Sequence, residues 1–336
     1  MRFAYQHILI CRTDNIGDVV LTLPIAAYLK REYPGIKIGF LCRRYAAPLV
    51  RGCKAIDYVI EAEQPDVSTL LATSGIDTII FSKPDRRLAA AAKKARIPHR
   101  IGTSHKWFHW IYCNRLAHFS RVKSSYHEAQ LNFELLRPLG FNVIPSLTEI
   151  PALYQLTPPP FGEHLTLPPD QFHVILHPKS NGNGREWSIE HFTELARLLQ
   201  DHDDIRLWIT GSAGEQAWLA THAADLLKMP NVTSVCGKFA LDELAGFINA
   251  ANGLIASGTG PLHMSAALGK PTLGLFPPVK PIHPGRWGPV GAKAQVLCQD
   301  SPCTGCKDAS TCSCMRNITP AQVSEVILQW QRESKA

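Results

Sequence analysis

Short apolar runs alternate with stretches of helical periodicity along most of the chain. The first run is Ile8-Leu9-Ile10-Cys11, and residues with helical spacing follow over 19–33. Continuous apolar runs of this length are typical of strands buried on both faces of a parallel sheet. The same alternation resumes at Val174-Ile175-Leu176. The pattern therefore predicts an α/β protein built from doubly wound, Rossmann-like parallel sheets.

A proline-rich stretch divides this pattern into two halves. Residues 145–170 contain seven prolines in mostly irregular sequence, and 336 residues suffice for two domains. We expect an N-terminal domain over 1–160, a second domain over 161–317, and a final helix over 318–336 that packs back toward the first domain. Open α/β sheets bind ligands at the carboxyl ends of their strands, so we expect a central cleft to hold the active site.

Positive charge is concentrated in the first half. Residues 1–150 carry 21 Lys and Arg against 12 Asp and Glu, whereas the remainder has a slight acidic excess. This asymmetry indicates an anionic partner, either a phosphorylated substrate, an acidic membrane surface or nucleic acid. Nucleic acid has no further support, because no zinc-finger, helix-turn-helix or RNA-binding aromatic motif accompanies the charge, and we predict none as a partner. A solvated basic face is the alternative.

The sequence shows no sign of export or of membrane insertion. No apolar run approaches the roughly 18 residues that span a bilayer, and the first residues enter a strand pattern without a signal peptide. We therefore expect a cytoplasmic protein.

Three loops of the second half suit a nucleotide. Gly258-Thr259-Gly260-Pro261-Leu262-His263 follows an apolar run and opens a helical pattern, which places unpaired N–H groups and the positive end of a helix dipole at one point. The loops 177–187 and 211–215 are also rich in small and polar residues after predicted strands. Each loop alone is compatible with a tight connection or a surface loop. Together they favour a diphosphate and its nucleoside.

The loop Arg12-Thr13-Asp14-Asn15-Ile16-Gly17-Asp18 follows the first predicted strand. Asp18 in this place is a candidate general base for an incoming hydroxyl, and Asp14 is the competing candidate. The alternative for Asp18 is a helix N-cap. Arg12 is a candidate for binding an anionic group of the substrate.

The segments RTDNIGDVVLTLP at 12–24, SGTGPLH at 257–263 and AALGKP at 266–271 resemble glycosyltransferase family 9. That family contains the ADP-heptose:lipopolysaccharide heptosyltransferases, and the resemblance extends over nearly the whole chain. It implies a GT-B fold and an inverting sugar transfer that requires no metal cofactor. It also implies a nucleotide-sugar donor and a phosphorylated, lipopolysaccharide-type acceptor.

The resemblance assigns roles by position. Asp18 matches the catalytic base. The donor contacts that it implies are Ser180 and Arg185 at the diphosphate, Glu215 at the ribose, Phe239 near the adenine, and Thr259, Gly260 and His263 at the phosphate-binding turn. Two positions depart from the family pattern: Gly258 stands where an Asp is usual, and Arg185 where a Lys is usual. The missing acid bears on which sugar and which base the donor carries.

The basic first half would then meet the phosphorylated acceptor. The candidate acceptor contacts are Arg12, Arg43, Arg86, Arg87 and Arg100. Trp107, Phe108 and Trp110 follow them and suit a membrane interface, so we expect peripheral contact with the cytoplasmic face of the inner membrane. The alternative for these three rings is a buried aromatic cluster.

Cysteines crowd near the C-terminus. Cys303, Cys306, Cys312 and Cys314 have spacings that a tetrahedral zinc ion accepts, which predicts a structural zinc site. A cluster of reduced thiols is the alternative in a cytoplasmic protein.

The expected function is transfer of a heptose from ADP-heptose to a lipopolysaccharide core acceptor. Three alternatives stay open: a transferase that uses another nucleotide sugar, a sugar-nucleotide epimerase on a similar fold, and a non-catalytic protein that binds nucleotide sugars or lipids. An epimerase requires no acceptor, so product analysis with donor alone separates it from a transferase.

Overall fold

A computed structural model describes residues 5–158, 161–162, 165–180, 182, 184–299, 303 and 312–335. The chain divides into two compact units, residues 1–157 and 158–336. The boundary falls within the proline-rich stretch, close to the expected 160/161. Each unit contains one six-stranded sheet, and neighbouring strands run parallel in both sheets. The prediction of doubly wound parallel sheets is therefore confirmed.

The first unit is built from six strands and seven α-helices within its described residues. The strands are β1 (His7–Cys11), β2 (Lys37–Cys42), β3 (Tyr58–Glu61), β4 (Thr78–Phe81), β5 (His99–Thr103) and β6 (Arg115–Ala117). The helices are α1 (Ile16–Val20), α2 (Pro24–Glu32), α3 (Ala47–Arg51), α4 (Val67–Thr73), α5 (Arg86–Lys94), α6 (Trp107–Tyr112) and α7 (Glu128–Phe133). Short 3-10 helices cover Arg44–Ala46, Glu134–Leu139 and Ile150–Leu153.

The second unit repeats the plan. Its strands are β7 (Phe172–His177), β8 (Ile205–Ile209), β9 (Val232–Ser234), β10 (Gly253–Ala256), β11 (Thr272–Phe276) and β12 (Ala294–Cys298). Its helices are α8 (Ile189–Leu198), α9 (Ala213–His222), α10 (Ala224–Leu227), α11 (Leu241–Ala250), α12 (Gly260–Ala267), α13 (Pro284–Trp287), α14 (Ser313–Arg316) and α15 (Pro320–Lys335). Among these described helices, none is both long enough and apolar enough to cross a bilayer.

Strand order fixes where each sheet can bind a ligand. The first sheet runs β3-β2-β1-β4-β5-β6, and the second runs β12-β11-β10-β7-β8-β9, which is the same arrangement. The order reverses between β1 and β4 and again between β7 and β10. Loops diverge at such a switch point and leave a crevice at the carboxyl ends of the strands. The loops after β1, β7 and β10 are among those that the sequence singles out, whereas the fourth, 211–215, follows β8, one strand away from the switch point.

The central strands form the core of each sheet. Ile8, Leu9 and Ile10 on β1 have no exposed surface, and Ile8 pairs with Ile38 on β2 and with Thr78 on β4. All six residues of β7 are buried as well. Burial on both faces explains why these strands are continuous apolar runs without alternation.

Two expected helices are interrupted. The helical spacing over 19–33 is divided into α1 and α2 because Pro24, which has no N–H to donate, begins a new helix. The sequence also predicts one helix over 127–139, where the structure has α7 followed by a 3-10 helix that contains Pro138. Proline thus ends regular α-helix at both places.

The final helix, α15, packs within the second unit. It lies on α8, and its Trp330 is 4% exposed and covers Gly253 of β10. Near its end Gln331 and Lys335 both bind Asp204, at 2.7 and 2.6 Å. The sequence analysis expects this helix to pack toward the first domain, whereas these contacts join it to the second.

Close packing of Trp330 on β10 gives a test of this arrangement. A Cβ atom at Gly253 would come within 2.7 Å of the Trp330 ring, so Gly253→Ala should lower the free energy of unfolding by about 1–3 kcal/mol. Gly35→Ala is the control, because a Cβ atom there meets nothing within 4 Å, and we expect a change below about 1 kcal/mol. Urea denaturation measures both. Equal stability of the two variants would contradict the packing.

Candidate active site

The switch point of the first sheet holds a buried cluster of charges. Arg12 directly follows β1, and its side chain is only 4% exposed. Its guanidinium donates to Asp14 at 2.7 Å, to Asp18, and to Glu128 at 3.3 Å. Three carboxylates surround one cation, so the pKa of Arg12 rises above its ordinary value even though burial alone would lower it. The sequence suggests Arg12 as an acceptor contact, but in the structure its guanidinium pairs with carboxylates of the protein itself.

Asp18 lies in the first turn of α1, and the N-cap position belongs to Asn15. Asp18 is therefore not the N-cap of α1. Its carboxylate pairs with Arg12 and remains 15% exposed, and its backbone carbonyl accepts a hydrogen bond from Thr22 Oγ1 at 2.8 Å. These contacts hold the carboxylate in one place at the end of β1 with one side open.

Glu128 and Asn132 on α7 complete the cluster. Glu128 is 1% exposed and accepts from Arg12 and, at 3.0 Å, from Arg121 Nε. Asn132 accepts from both guanidinium groups at 3.3 and 3.4 Å and donates to the carbonyl of Leu21 at 2.9 Å. The sequence analysis missed all three residues. No sequence motif marks these residues, because all three lie more than a hundred residues from Arg12 along the chain.

The surroundings raise the pKa of Asp18 to about 6. Burial is the largest cause, since a desolvated carboxylate prefers to be neutral. The charge of Arg12 lowers the pKa of Asp18, while the charges of Asp14 and Glu128 raise it. Burial and the neighbouring acids thus outweigh the ion pair. A carboxylate with this pKa is mostly ionised near neutral pH yet is a stronger base than an ordinary aspartate.

Tyr45 and Arg43 border this cluster. Tyr45 Oη donates to the carbonyl of Asp14 at 2.6 Å, and its ring is 40% exposed. Arg43 stacks on that ring at 5.4 Å and is 56% exposed. Arg43 is thus the predicted acceptor contact that lies beside the Asp14 loop and still faces solvent. Tyr45 was not predicted, although it is two residues along the chain.

The other three predicted acceptor cations lie around β5 and α5. Arg86 stacks on Trp107 at 5.1 Å, and Arg87 donates to the carbonyl of Ala62 at 3.3 Å. Arg100 donates to the carbonyls of Tyr112 and Ile97, so its guanidinium joins the end of α6 to the segment before β5. Arg86 and Arg87 are exposed, whereas Arg100 is half-buried.

In the second unit the helix α12 begins at the predicted turn. Thr259 is its N-cap, is 6% exposed, and makes no capping bond with its side chain. Gly260 is the first helical residue, and His263 is buried one turn later. In the described part of the chain, Thr259 Oγ1 and Arg185 Nε are buried without a hydrogen-bond partner. Unsatisfied donors beside a helix N-terminus are the arrangement that an anion satisfies.

The loop after β7 is held by Glu186, which the sequence analysis did not assign. Its carboxylate accepts from Ser180 N at 2.8 Å and from Lys179 Nζ at 2.5 Å. The hydroxyl of Ser180 lies 3.0 Å from the carbonyl oxygen of Gly184 and 3.2 Å from Glu186, so this predicted donor contact is engaged within the loop. Arg185 follows Gly184 in the same loop, and its Nε has no hydrogen-bond partner within the part of the chain that the structure describes.

Gly184 and Gly258 bring this loop against the α12 turn. A Cβ atom on Gly184 would lie 3.3 Å from backbone atoms of Gly258, and one on Gly258 would lie 3.2 Å from the Phe276 ring. The space beside the turn that an acidic side chain at 258 would need is therefore filled by Phe276. Gly258, which stands where the family usually has Asp, thus lies against the Phe276 ring.

The two remaining predicted donor contacts have local partners. Glu215 forms a capping box with Ser212 at the start of α9, through contacts of 2.6 and 3.3 Å. Phe239 packs on Phe161 and Phe247 and lines an apolar cavity of about 100 Å³. The Glu215 carboxylate is thus engaged in capping α9, and Phe239 lies beside a cavity.

The predicted zinc ligands are only partly described. Cys312 and Cys314 are buried in the core of the second unit, and Cys303 packs against that core. Cys306 lies outside the described residues. Within the described chain, no group of three or more His, Cys, Asp and Glu is placed to hold a metal ion. The described cysteines therefore do not by themselves form the expected site.

Two sheets of Rossmann strand order in one chain, one with a buried ion cluster at its switch point and the other with a helix N-terminus at its own, are the architecture of a two-domain α/β enzyme. The chain belongs to glycosyltransferase family 9 (heptosyltransferase), whose family model matches residues 77–315. It is a glycosyltransferase.

Relatives and solved structures agree with this family. The chain is 24% identical over 317 residues to lipopolysaccharide heptosyltransferase 1 of Escherichia coli, across 88% of this chain and 93% of the relative. The structure of ADP-heptose lipopolysaccharide heptosyltransferase II of E. coli superposes with a TM-score of 0.75 at 19% identity, covering 98% and 100% of the two chains. A family 9 glycosyltransferase from Veillonella parvula gives a TM-score of 0.77 at 20% identity, covering 99% of each chain. The predicted GT-B fold is confirmed.

The pKa of Asp18 should respond to its acidic neighbour. Because Asp14 raises the pKa of Asp18, Asp14→Asn should move that pKa from about 6 toward the ordinary value of 3.8. Titration of the aspartate carboxyl carbons by NMR measures it. Asp66→Asn, which removes an equal charge elsewhere in the same unit, is the control and should leave Asp18 unchanged. An Asp18 pKa unaffected by Asp14→Asn would refute this account of the electrostatics.

Proposed function

We propose that this enzyme transfers a heptose from ADP-heptose to the phosphorylated core of a lipopolysaccharide-type glycolipid, with inversion at the anomeric carbon. The observation that carries the proposal is Asp18, a partly exposed carboxylate with a raised pKa at the switch point of the first sheet. The heptosyltransferase relatives support the choice of donor and acceptor class. We place the reaction at the cytoplasmic face of the inner membrane, where such an acceptor lipid is available.

Asp18 supplies the base. Its carboxylate takes the proton of the acceptor hydroxyl as the hydroxyl oxygen attacks the anomeric carbon. The bond between that carbon and the β-phosphate oxygen breaks, and ADP leaves with the electron pair. Arg12 holds Asp18 in position, and Glu128 and Asn132 in turn hold Arg12.

The α12 turn supplies the stabilisation of the leaving group. Thr259 Oγ1, Arg185 Nε and the first N–H groups of α12 are donors for the diphosphate as its negative charge grows. His263 lies one turn into the helix and is the further candidate. The cavity lined by Phe239 is the candidate binding site for the adenine. Zinc at the C-terminal cysteines would be structural and takes no part in these steps.

The reaction is tested by product analysis with Asp18→Asn as the decisive variant. Wild type with ADP-heptose and a core acceptor should release ADP and a glycosylated product, and its kcat/KM should fall about tenfold per pH unit below about pH 6. The fall follows because protonated Asp18 cannot accept a proton. Asp18→Asn should lower kcat at least about a hundredfold while ADP affinity stays unchanged.

Two controls keep this test specific. Asp14→Asn should retain turnover, so loss of turnover there and not in Asp18→Asn would reverse the assignment of the base. Donor incubated without acceptor should remain intact, and an epimerised donor would replace the transferase with the alternative activity.

Thr259→Val tests the anion-binding turn. The hydroxyl of Thr259 makes no bond within the described protein, so its loss should weaken ADP binding about tenfold and leave the free energy of unfolding within about 0.5 kcal/mol. Thr272→Val is the matched control, since that hydroxyl bonds Ser265 at 2.7 Å and the carbonyl of Lys270 at 2.8 Å. It should lose about 1–2 kcal/mol of stability with unchanged ADP affinity. Calorimetry and urea denaturation measure the pair, and unaltered ADP binding in Thr259→Val would exclude the turn as the diphosphate site.

A further inference from the structure

Helix α6 turns its apolar face to solvent. Trp107 and Trp110 are each 61% exposed and Ile111 is 49% exposed, whereas His109 on the opposite side is fully buried. Positions 107, 110 and 111 fall at i, i+3 and i+4 and so share one face of the helix. The sequence left open a membrane contact or a buried aromatic cluster for these rings, and the two tryptophans lie on the surface.

Exposed apolar side chains are concentrated in this part of the molecule. Of the eleven exposed large apolar residues in the described chain, five lie within residues 107–126. The loop after β6 adds Val122, which is 94% exposed, and Tyr126, which is 41% exposed. Trp110 contacts this loop through His118, with ring centroids 6.3 Å apart. Three exposed apolar side chains on one helix face mark an interaction surface more often than an isolated apolar residue does.

The same segment carries only positive charge. Residues 86–127 contain ten Lys and Arg and no Asp or Glu. Arg86 stacks on the Trp107 ring at 5.1 Å, and Lys93 donates to the carbonyl of Ile111 at 2.9 Å, which brings cations from α5 to the rim of the apolar face. Lys106 precedes the helix and is exposed. Tryptophan flanked by lysine and arginine is the composition found at the interface of membranes with anionic lipids.

We propose that the outward face of α6, defined by Trp107, Trp110 and Ile111 and rimmed by Arg86, Lys93 and Lys106, docks the enzyme on an anionic lipid bilayer. The indole rings enter the headgroup region, while the cations pair with lipid phosphates. This inference rests on the proposed function in one respect only, namely that the acceptor is a glycolipid. Its charge excess excludes a neutral surface as the preferred partner.

Vesicle binding by the full chain tests the proposal without turnover. Wild type should co-sediment with phosphatidylglycerol-containing vesicles at about 0.1 M salt, bind phosphatidylcholine vesicles weakly, and lose most binding at about 0.5 M salt. Trp107→Ala/Trp110→Ala should weaken binding at least about tenfold, and Trp107→Phe/Trp110→Phe should restore most of it. Val143→Ala/Leu198→Ala, which removes exposed apolar side chains elsewhere, should bind as wild type. Thermal unfolding verifies that each variant is folded.

Several results would overturn the assignment. Binding of the alanine variant equal to wild type would remove α6 from the contact, and equal binding to neutral and anionic vesicles would remove the role of charge. Self-association of wild type that the alanine variant abolishes, without vesicle binding, would assign the face to a second copy of the chain. Failure of sugar transfer is a separate outcome, because the alanine variant should keep its kcat on a lipid-free acceptor if the proposed function holds.

Discussion

The ion cluster centred on Arg12 is the interaction on which the proposed chemistry depends. A guanidinium that is 4% exposed needs partners, and its three carboxylates come from the loop after β1, from α1 and from α7. Removing one partner of such a group leaves an uncompensated buried charge, which costs several kcal/mol. The cluster therefore fixes α1 and α7 against the end of the sheet, and Asp18 is positioned as a consequence of that requirement.

The same cluster resolves a conflict between basicity and ionisation. A carboxylate paired with arginine alone would have a lowered pKa and would be a weak base, while one buried alone would stay protonated at neutral pH. Burial, Arg12 and the acids Asp14 and Glu128 together bring the pKa of Asp18 to about 6. Burial and three neighbouring charged groups thus set the basicity that the proposed role of Asp18 requires.

The sequence predicted the features that depend on local pattern. The strands β1 and β7, the turn at Thr259 and the Asp18 loop were located because apolar runs and glycines act over a few residues. The partners of Asp18 were not predictable in this way, because Glu128 and Asn132 reach Arg12 only through the fold. Expected ligand contacts also proved to have structural partners: Arg12 lies inside the cluster, and Ser180 and Glu215 satisfy their own loops. A single sequence does not show whether a polar side chain will bind its neighbours or a ligand.

The two sheets illustrate how one topology can supply opposite electrostatics. Both reverse strand order at equivalent points, yet the first sheet ends in carboxylates around a cation, and the second ends in a helix N-terminus beside donors that have no partner among the described residues. An acceptor hydroxyl requires a base, whereas a leaving diphosphate requires hydrogen-bond donors and positive charge. A single switch point would have to offer both within a few ångströms, where the donors would lower the pKa of the base. In this chain the residues that set the pKa of Asp18 and those that form the α12 turn belong to separate sheets, so each set can change in sequence without altering the other.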